Sequence, residues 1–112
     1  MKRGTMYLDY EGEPQFKIDV TRFILRENEV AFDFSGSDEG SRYSGSCQLR
    51  RSDDAFEGDA RYRYAGESNE QGARIALILH LDCDEISATG VWTDEGDVEP
   101  YGLYAELYEG SS

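Results

Sequence analysis

A chain of 112 residues with 38% hydrophobic and 12% aromatic residues has the length of one domain, 1–112, and too many rings for a disordered acidic segment. Its formal net charge of −13 argues against nucleic acid and anionic membrane as partners and leaves cations and basic protein surfaces. The charge is uneven, because no Lys or Arg follows Arg74 while Asp82, Asp84, Glu85, Asp94, Glu95, Asp97, Glu99, Glu106 and Glu109 do.

Apolar and polar residues alternate from the start. Met1-Lys2-Arg3 leads straight into alternating residues rather than the apolar run of a signal peptide, and no stretch suits a transmembrane helix, so the expected location is cytoplasmic. The first strand is predicted at 5–11, with Met6, Leu8 and Tyr10 on one face, and Glu13-Pro14 turns the chain. The second, 15–26, aligns Phe16, Ile18 and Val20. Its apolar phase then shifts around Thr21, which predicts a bulge. The third, 30–35, carries Val30, Phe32 and Phe34, and a Ser- and Gly-rich flexible loop is expected at 35–41.

The fourth strand, 42–50, presents Tyr43, Gly45, Cys47 and Leu49. The fifth, 55–65, presents Phe56, Gly58, Ala60, Tyr62 and Tyr64. The sixth, 73–83, presents Ile75, Leu77, Leu79, Leu81 and Cys83. The seventh, 86–93, presents Ile86, Ala88, Gly90 and Trp92, and the eighth, 99–108, presents Tyr101, Leu103, Ala105 and Leu107. Short connections make sequence neighbours pair antiparallel. The predicted fold is therefore all-β, a single up-and-down antiparallel barrel of about eight strands without substantial helix, whose closure removes exposed edges.

The inward list mixes ordinary core with tyrosines, whose hydroxyls need partners when buried, and with Gly45, Gly58, Ala60, Ala88, Gly90 and Ala105, which are expected to leave space. With turns at Asp53-Asp54 and Asp84-Glu85, the expected register sets Tyr43 against Tyr62, Gly45 against Ala60, Cys47 against Gly58 and Leu77 against Trp92. A tip within 94–97 sets Trp92 beside Tyr101. One end then gathers Tyr43, Tyr62, Tyr64, Trp92 and Tyr101, an amphipathic lining suited to a small apolar or aromatic ligand. The plainer alternative is a solid barrel whose tyrosines sit at the rim with hydroxyls in water. Strand count and meander together resemble the calycins, the lipocalin-like and avidin-like barrels, and that resemblance implies ligand binding. The lipocalin Gly-x-Trp belongs on the first strand, whereas Gly90-Val91-Trp92 lies on the seventh, so no family site residue is transferred.

On the outer face, Ala76, Ile78, Val91 and Tyr104 form an apolar strip, with Ile78 expected opposite Val91. A homo-oligomer, most simply a dimer, is expected through it. The acids of the last two hairpins, Asp82, Asp84, Glu85, Asp94, Glu95, Asp97 and Glu99, are expected to cluster. This supports the alternative function, an inhibitor or immunity module covering a basic protein surface.

Catalytic chemistry is not expected. His80 points outward and has no metal-ligating neighbour at suitable spacing. Cys47 and Cys83, separated by one strand, are expected roughly 9–10 Å apart, beyond disulfide reach. The segment 94–97 lacks the spacing of a calcium loop. No phosphate loop or nucleophile elbow is present, and no inward residue named above is Asp or Glu. The expectation is a non-enzymatic binder without metal or cofactor.

Overall fold

A strand sends alternate side chains to opposite faces, so a meander of alternating strands can bury one half of itself by curling around it. The computed structural model describes residues 2–82, 85–96 and 99–109 and shows this outcome. β1 (Lys2–Tyr10), β2 (Glu13–Leu25), β3 (Glu29–Asp38), β4 (Ser41–Ser52), β5 (Ala55–Tyr64), β6 (Gln71–Asp82), β7 (Glu85–Asp94) and β8 (Tyr101–Glu109) follow in order. Each pairs antiparallel with the next, and β8 pairs with β1, closing an eight-stranded barrel. Among the described residues, closure leaves no edge strand.

Turn chemistry sets the register. Glu11 and Gly12 have φ of 53° and 81°, and Glu39 and Gly40 have 49° and 85°. Positive φ at both central residues is the type I′ signature, whose twist matches that of the flanking strands. The flexible loop expected at 35–41 is therefore corrected. Ser35, Gly36 and Ser37 pair with Ser44, Tyr43 and Arg42, and only Glu39-Gly40 forms the tip. At Asp53-Asp54 the two-residue tip sets Ser52 opposite Ala55. Tyr43 then faces Tyr64, Gly45 faces Tyr62 and Cys47 faces Ala60, two residues along from the expected register. In the next hairpin Asp82 faces Glu85, so Ile75 rather than Leu77 meets Trp92, and Val91 meets Ala76 rather than Ile78. Trp92 lies beside Tyr101 as expected. A shift of two preserves every facing, so the inner face survives both corrections.

The expected bulge falls between Val20 and Arg22 and turns Phe23 into the core. Rings then run the length of the interior. Phe23 stacks on Phe32 at 6.0 Å, Phe32 meets Phe34 at 6.1 Å, and Phe34 meets the Trp92 ring edge-on at 5.6 Å. Trp92 continues to Tyr62, and Tyr62 to Tyr43 and Tyr64. Such pairs add about 0.5–1.5 kcal/mol each beyond the area they bury. Around them pack Met6, Ile18, Val30, Leu49, Ile75 and Leu107, all fully buried.

The space expected beside the interior glycines is absent. A Cβ on Gly45 would strike the Arg61 carbonyl oxygen, one on Gly58 that of Gln48, and one on Gly90 that of Ala76. The adjacent backbone occupies the volume, and these glycines let strands bend closely enough to close the sheet. Two other inward expectations fail at the rims. Leu81 lies beyond the packed interior and is 69% exposed, and Tyr10 is exposed with its hydroxyl donating to Glu99. Cys47 is a buried free thiol whose pKa burial pushes upward. Cys83, and with it the expected distance between the thiols, lies outside the described residues.

Candidate ligand-binding cavity

The β1–β2, β3–β4, β5–β6 and β7–β8 connections share one end of the barrel. There the strand ends deliver large rings: Tyr43 at the start of β4, Tyr62 and Tyr64 at the end of β5, Trp92 on β7 and Tyr101 at the start of β8. All five line one open cavity of about 220 Å³, together with Leu8, Phe16, Ile18, Asp38 and Asp94. The geometry thus brings together every residue of the aromatic set singled out from the sequence.

The rings form two walls. Tyr43 contacts Tyr62 at 5.9 Å and Tyr64 at 5.4 Å, with Trp92 behind Tyr62 at 6.0 Å. Across the mouth, Tyr101 meets Phe16 edge-on at 5.8 Å and Tyr10 at 6.2 Å. Gly36 faces Tyr43 across β3–β4, and a Cβ there would fall 2.5 Å from the phenol oxygen and 2.7 Å from Cζ. The missing side chain is what lets the Tyr43 ring lie down over the strand, only 7% exposed.

Asp38 and Asp94 correct the expectation that no carboxylate faces inward. The Tyr62 hydroxyl donates to Asp94 Oδ1 at 2.8 Å, and the Trp92 indole N–H donates to the same oxygen at 2.9 Å. The Tyr64 hydroxyl donates to Asp38 Oδ2 at 3.3 Å. Turn composition places both residues in turn or loop, yet each ends a strand in the phase of its core residues. Asp38 follows Phe32, Phe34 and Gly36, and Asp94 follows Trp92. That continuing alternation was the available signal.

Burial, with these carboxylates second to it, keeps the phenols protonated. Burial first, then the hydrogen bond and negative charge of Asp94, raise the Tyr62 pKa well above its usual range. Burial likewise raises Tyr43 to about 12, and burial with the charge and hydrogen bond of Asp38 raises Tyr64. The hydroxyls therefore remain donors at any neutral pH.

The opposite end is finished differently. A groove of about 420 Å³ runs there among Leu25, Arg26, Glu27, Arg51, Asp54, Phe56, Leu79 and Leu81. It is larger, but it lies over the core rather than entering it, between exposed Leu25 and Leu81. Arg51 spans it, with its guanidinium 5.7 Å from the Phe56 centroid and Nη1 donating to the Glu27 carbonyl at 3.1 Å.

The outer strip is also contiguous. Ala76 faces Val91, while Ile78 faces Thr89, which faces Tyr104 on its other side. Ile78 is 42% and Val91 41% exposed. Tyr104 continues the strip to Tyr7 on β1. His80 is exposed on the same sheet, its Nε2 3.4 Å from Thr89 Oγ1. The expected acidic cluster does not form. The β6–β7 and β7–β8 hairpins share β7, whose 10 residues run the length of the barrel, so Asp82 and Glu85 lie at one end and Asp94, Glu95 and Glu99 at the other. At ~3.3 Å per residue the two groups stand roughly 30 Å apart. Asp84 and Asp97 lie outside the described residues.

No protein-family model matches this chain, and no curated protein matches it. Among solved structures it is similar to one described as a redesigned β-barrel, with a TM-score of 0.58 and 15% sequence identity over 97% of this chain and 90% of that one. At such identity the likeness speaks for the fold alone. It supports the closed barrel and does not support the lipocalin- or avidin-like relationship expected from the strand count.

Proposed function

We propose that this protein is a non-enzymatic binder that takes one small ligand into the open end of its barrel. The observation that carries this reading is the cavity itself: about 220 Å³, walled by Tyr43, Tyr62, Tyr64, Trp92 and Tyr101, and entering the core beside Leu8 and Ile18. A cavity of about 150 Å³ accommodates benzene, so this one has room for a ligand only slightly larger. Its lining, among the described residues, holds no His, Cys, Ser or Lys, and its two carboxylates, Asp38 and Asp94, are engaged by the ring hydroxyls and the indole N–H. The polar groups present suit orientation of a ligand, as in small-molecule sites generally.

Trp92 is the only tryptophan, is 3% exposed and lines the cavity, so it reports on occupancy. Titration with a panel of small apolar, aromatic and charged compounds is expected to shift or quench its emission saturably for at least one class. Emission that stays blue and inert to the whole panel, with no line broadening in ligand-observed NMR, defeats the proposal and leaves a solid barrel.

A further inference from the structure

We infer that the ligand class is a small organic cation, an alkylammonium of about the size of choline. This rests on the reading of the mouth as a ligand site and specifies its chemistry. Aromatic faces around a cavity attract a positive charge through their quadrupoles, and quaternary ammonium groups are bound this way. Here the rings lining the cavity are those of Tyr43, Tyr62, Tyr64, Trp92 and Tyr101, with Phe16 beside Tyr101.

The second observation is independent of the rings. Asp94 and Asp38 line the same cavity. Asp94 is held in place because the Tyr62 hydroxyl and the Trp92 N–H both converge on Oδ1. No described donor reaches its Oδ2. A half-buried carboxylate fixed in this way keeps a negative charge on the cavity wall, which a bound cation would meet favourably. The surroundings reinforce it. The connections at this end carry Glu11, Glu39, Glu67, Glu70, Glu95 and Glu99 and not one Lys or Arg, and the cation nearest a tip is Arg42, on the outer face at the start of β4. Arg61 and Arg63, on the outer face of β5 below the rim, are each paired with an acid, Glu95 and Glu70. An anion meets a repulsive field on approach, and a cation is steered in. A neutral aromatic ligand would use the rings but gain nothing from the two negative charges.

The test compares isosteres on the intact protein by Trp92 emission and ligand-observed NMR. Choline and tetramethylammonium are the cations, 3,3-dimethylbutan-1-ol is the neutral shape match, and 3,3-dimethylbutanoate is the anion. The expected result is saturable binding of both cations, about tenfold or more weaker binding of the alcohol, and none of the anion. In Asp94→Asn the amide oxygen still accepts from Tyr62 and Trp92. Choline affinity is expected to fall about tenfold there while the alcohol is unaffected. Equal affinity for choline and the alcohol, or undiminished choline binding in Asp94→Asn, overturns the cation inference and leaves the ligand site standing. Silence toward cations, alcohol and small aromatics alike overturns both.

Discussion

At the far end of the barrel Phe56 is capped from outside. Arg51 lies over Phe56 and bonds to the carbonyls of Glu27 at 3.1 Å and Asp53 at 3.4 Å, tying two turns together. At the mouth the equivalent rings are tyrosines and a tryptophan, and their polar atoms turn inward to Asp38 and Asp94. Both ends continue one column of rings. What separates them is where the polar atoms lie: at the surface in one case, where they close the core, and inside in the other, where they hold it open. Tight packing serves stability, and carboxylates fixed in a half-buried cavity oppose it, which is the usual cost of a binding site.

The comparison is open to challenge by mutation, beginning at the ring that joins the two ends. Phe34 touches Phe32 below and Tyr62 and Trp92 above. Phe34→Ala is expected to cost about 3–5 kcal/mol, a large share of the ~5–15 kcal/mol of a small domain. Chemical denaturation checks this. A loss under ~1 kcal/mol would mean that the column does not couple the ends.

Removing the cap comes next. Arg51→Ala gives up a cation–aromatic contact and two charge-assisted bonds, and about 1 kcal/mol of stability is expected to go with them. Asp94→Asn is expected to stay within ~0.5 kcal/mol of the parent in the same assay. If Asp94→Asn proves the more destabilising of the two, the division between a stabilising end and a functional end is wrong.

Alkaline pH separates the ends without mutation. Folded Tyr43, Tyr62 and Tyr64 have pKa values above the ordinary 10.0, chiefly through burial, with Tyr43 at about 12. A group whose folded pKa is raised contributes its stabilisation in full below the unfolded value and loses it as pH rises through the folded one. Stability is therefore expected to hold up to about pH 10 and to fall towards pH 12. Phenolate absorbance should lag behind that of free tyrosine until unfolding. A Tyr62→Phe, Tyr64→Phe pair should flatten the fall, because phenylalanine does not titrate. The smallest effect expected is at Cys47. Burial holds its thiol protonated, so a thiol reagent should leave it unmodified in the native state and label it on unfolding.

The strands, the facing of the core and the ring set at the mouth were all legible in the sequence, because period-two alternation encodes facing directly. Register was less so. Facing survives a slip of two, so nothing in the Tyr43 or Ile75 alternation distinguishes the observed pairing from the expected one; only the two-residue tip does. Asp38 and Asp94 escaped for another reason. Their neighbours, Ser35-Gly36-Ser37 and Glu95-Gly96, have turn composition, which masks a phase that continues unbroken from Phe34 and Trp92. Gly45 and Gly90 were legible as small but not as contact points, because whether a gap beside a glycine is empty depends on how sharply the neighbouring strand bends.

Every seam of the barrel but one joins strands consecutive in the chain. The exception is β1 against β8, where Lys2 meets Glu109 and Met6 meets Ala105. That seam closes the longest loop of the fold, while the hairpins close short ones between neighbours. It also makes the order of the strands cyclic. A chain rejoined across β1 and β8 and reopened at Asp53-Asp54, far from the mouth, would keep every pairing. Its slowest folding step would then move from the seam beside Tyr101 to the seam between β4 and β5.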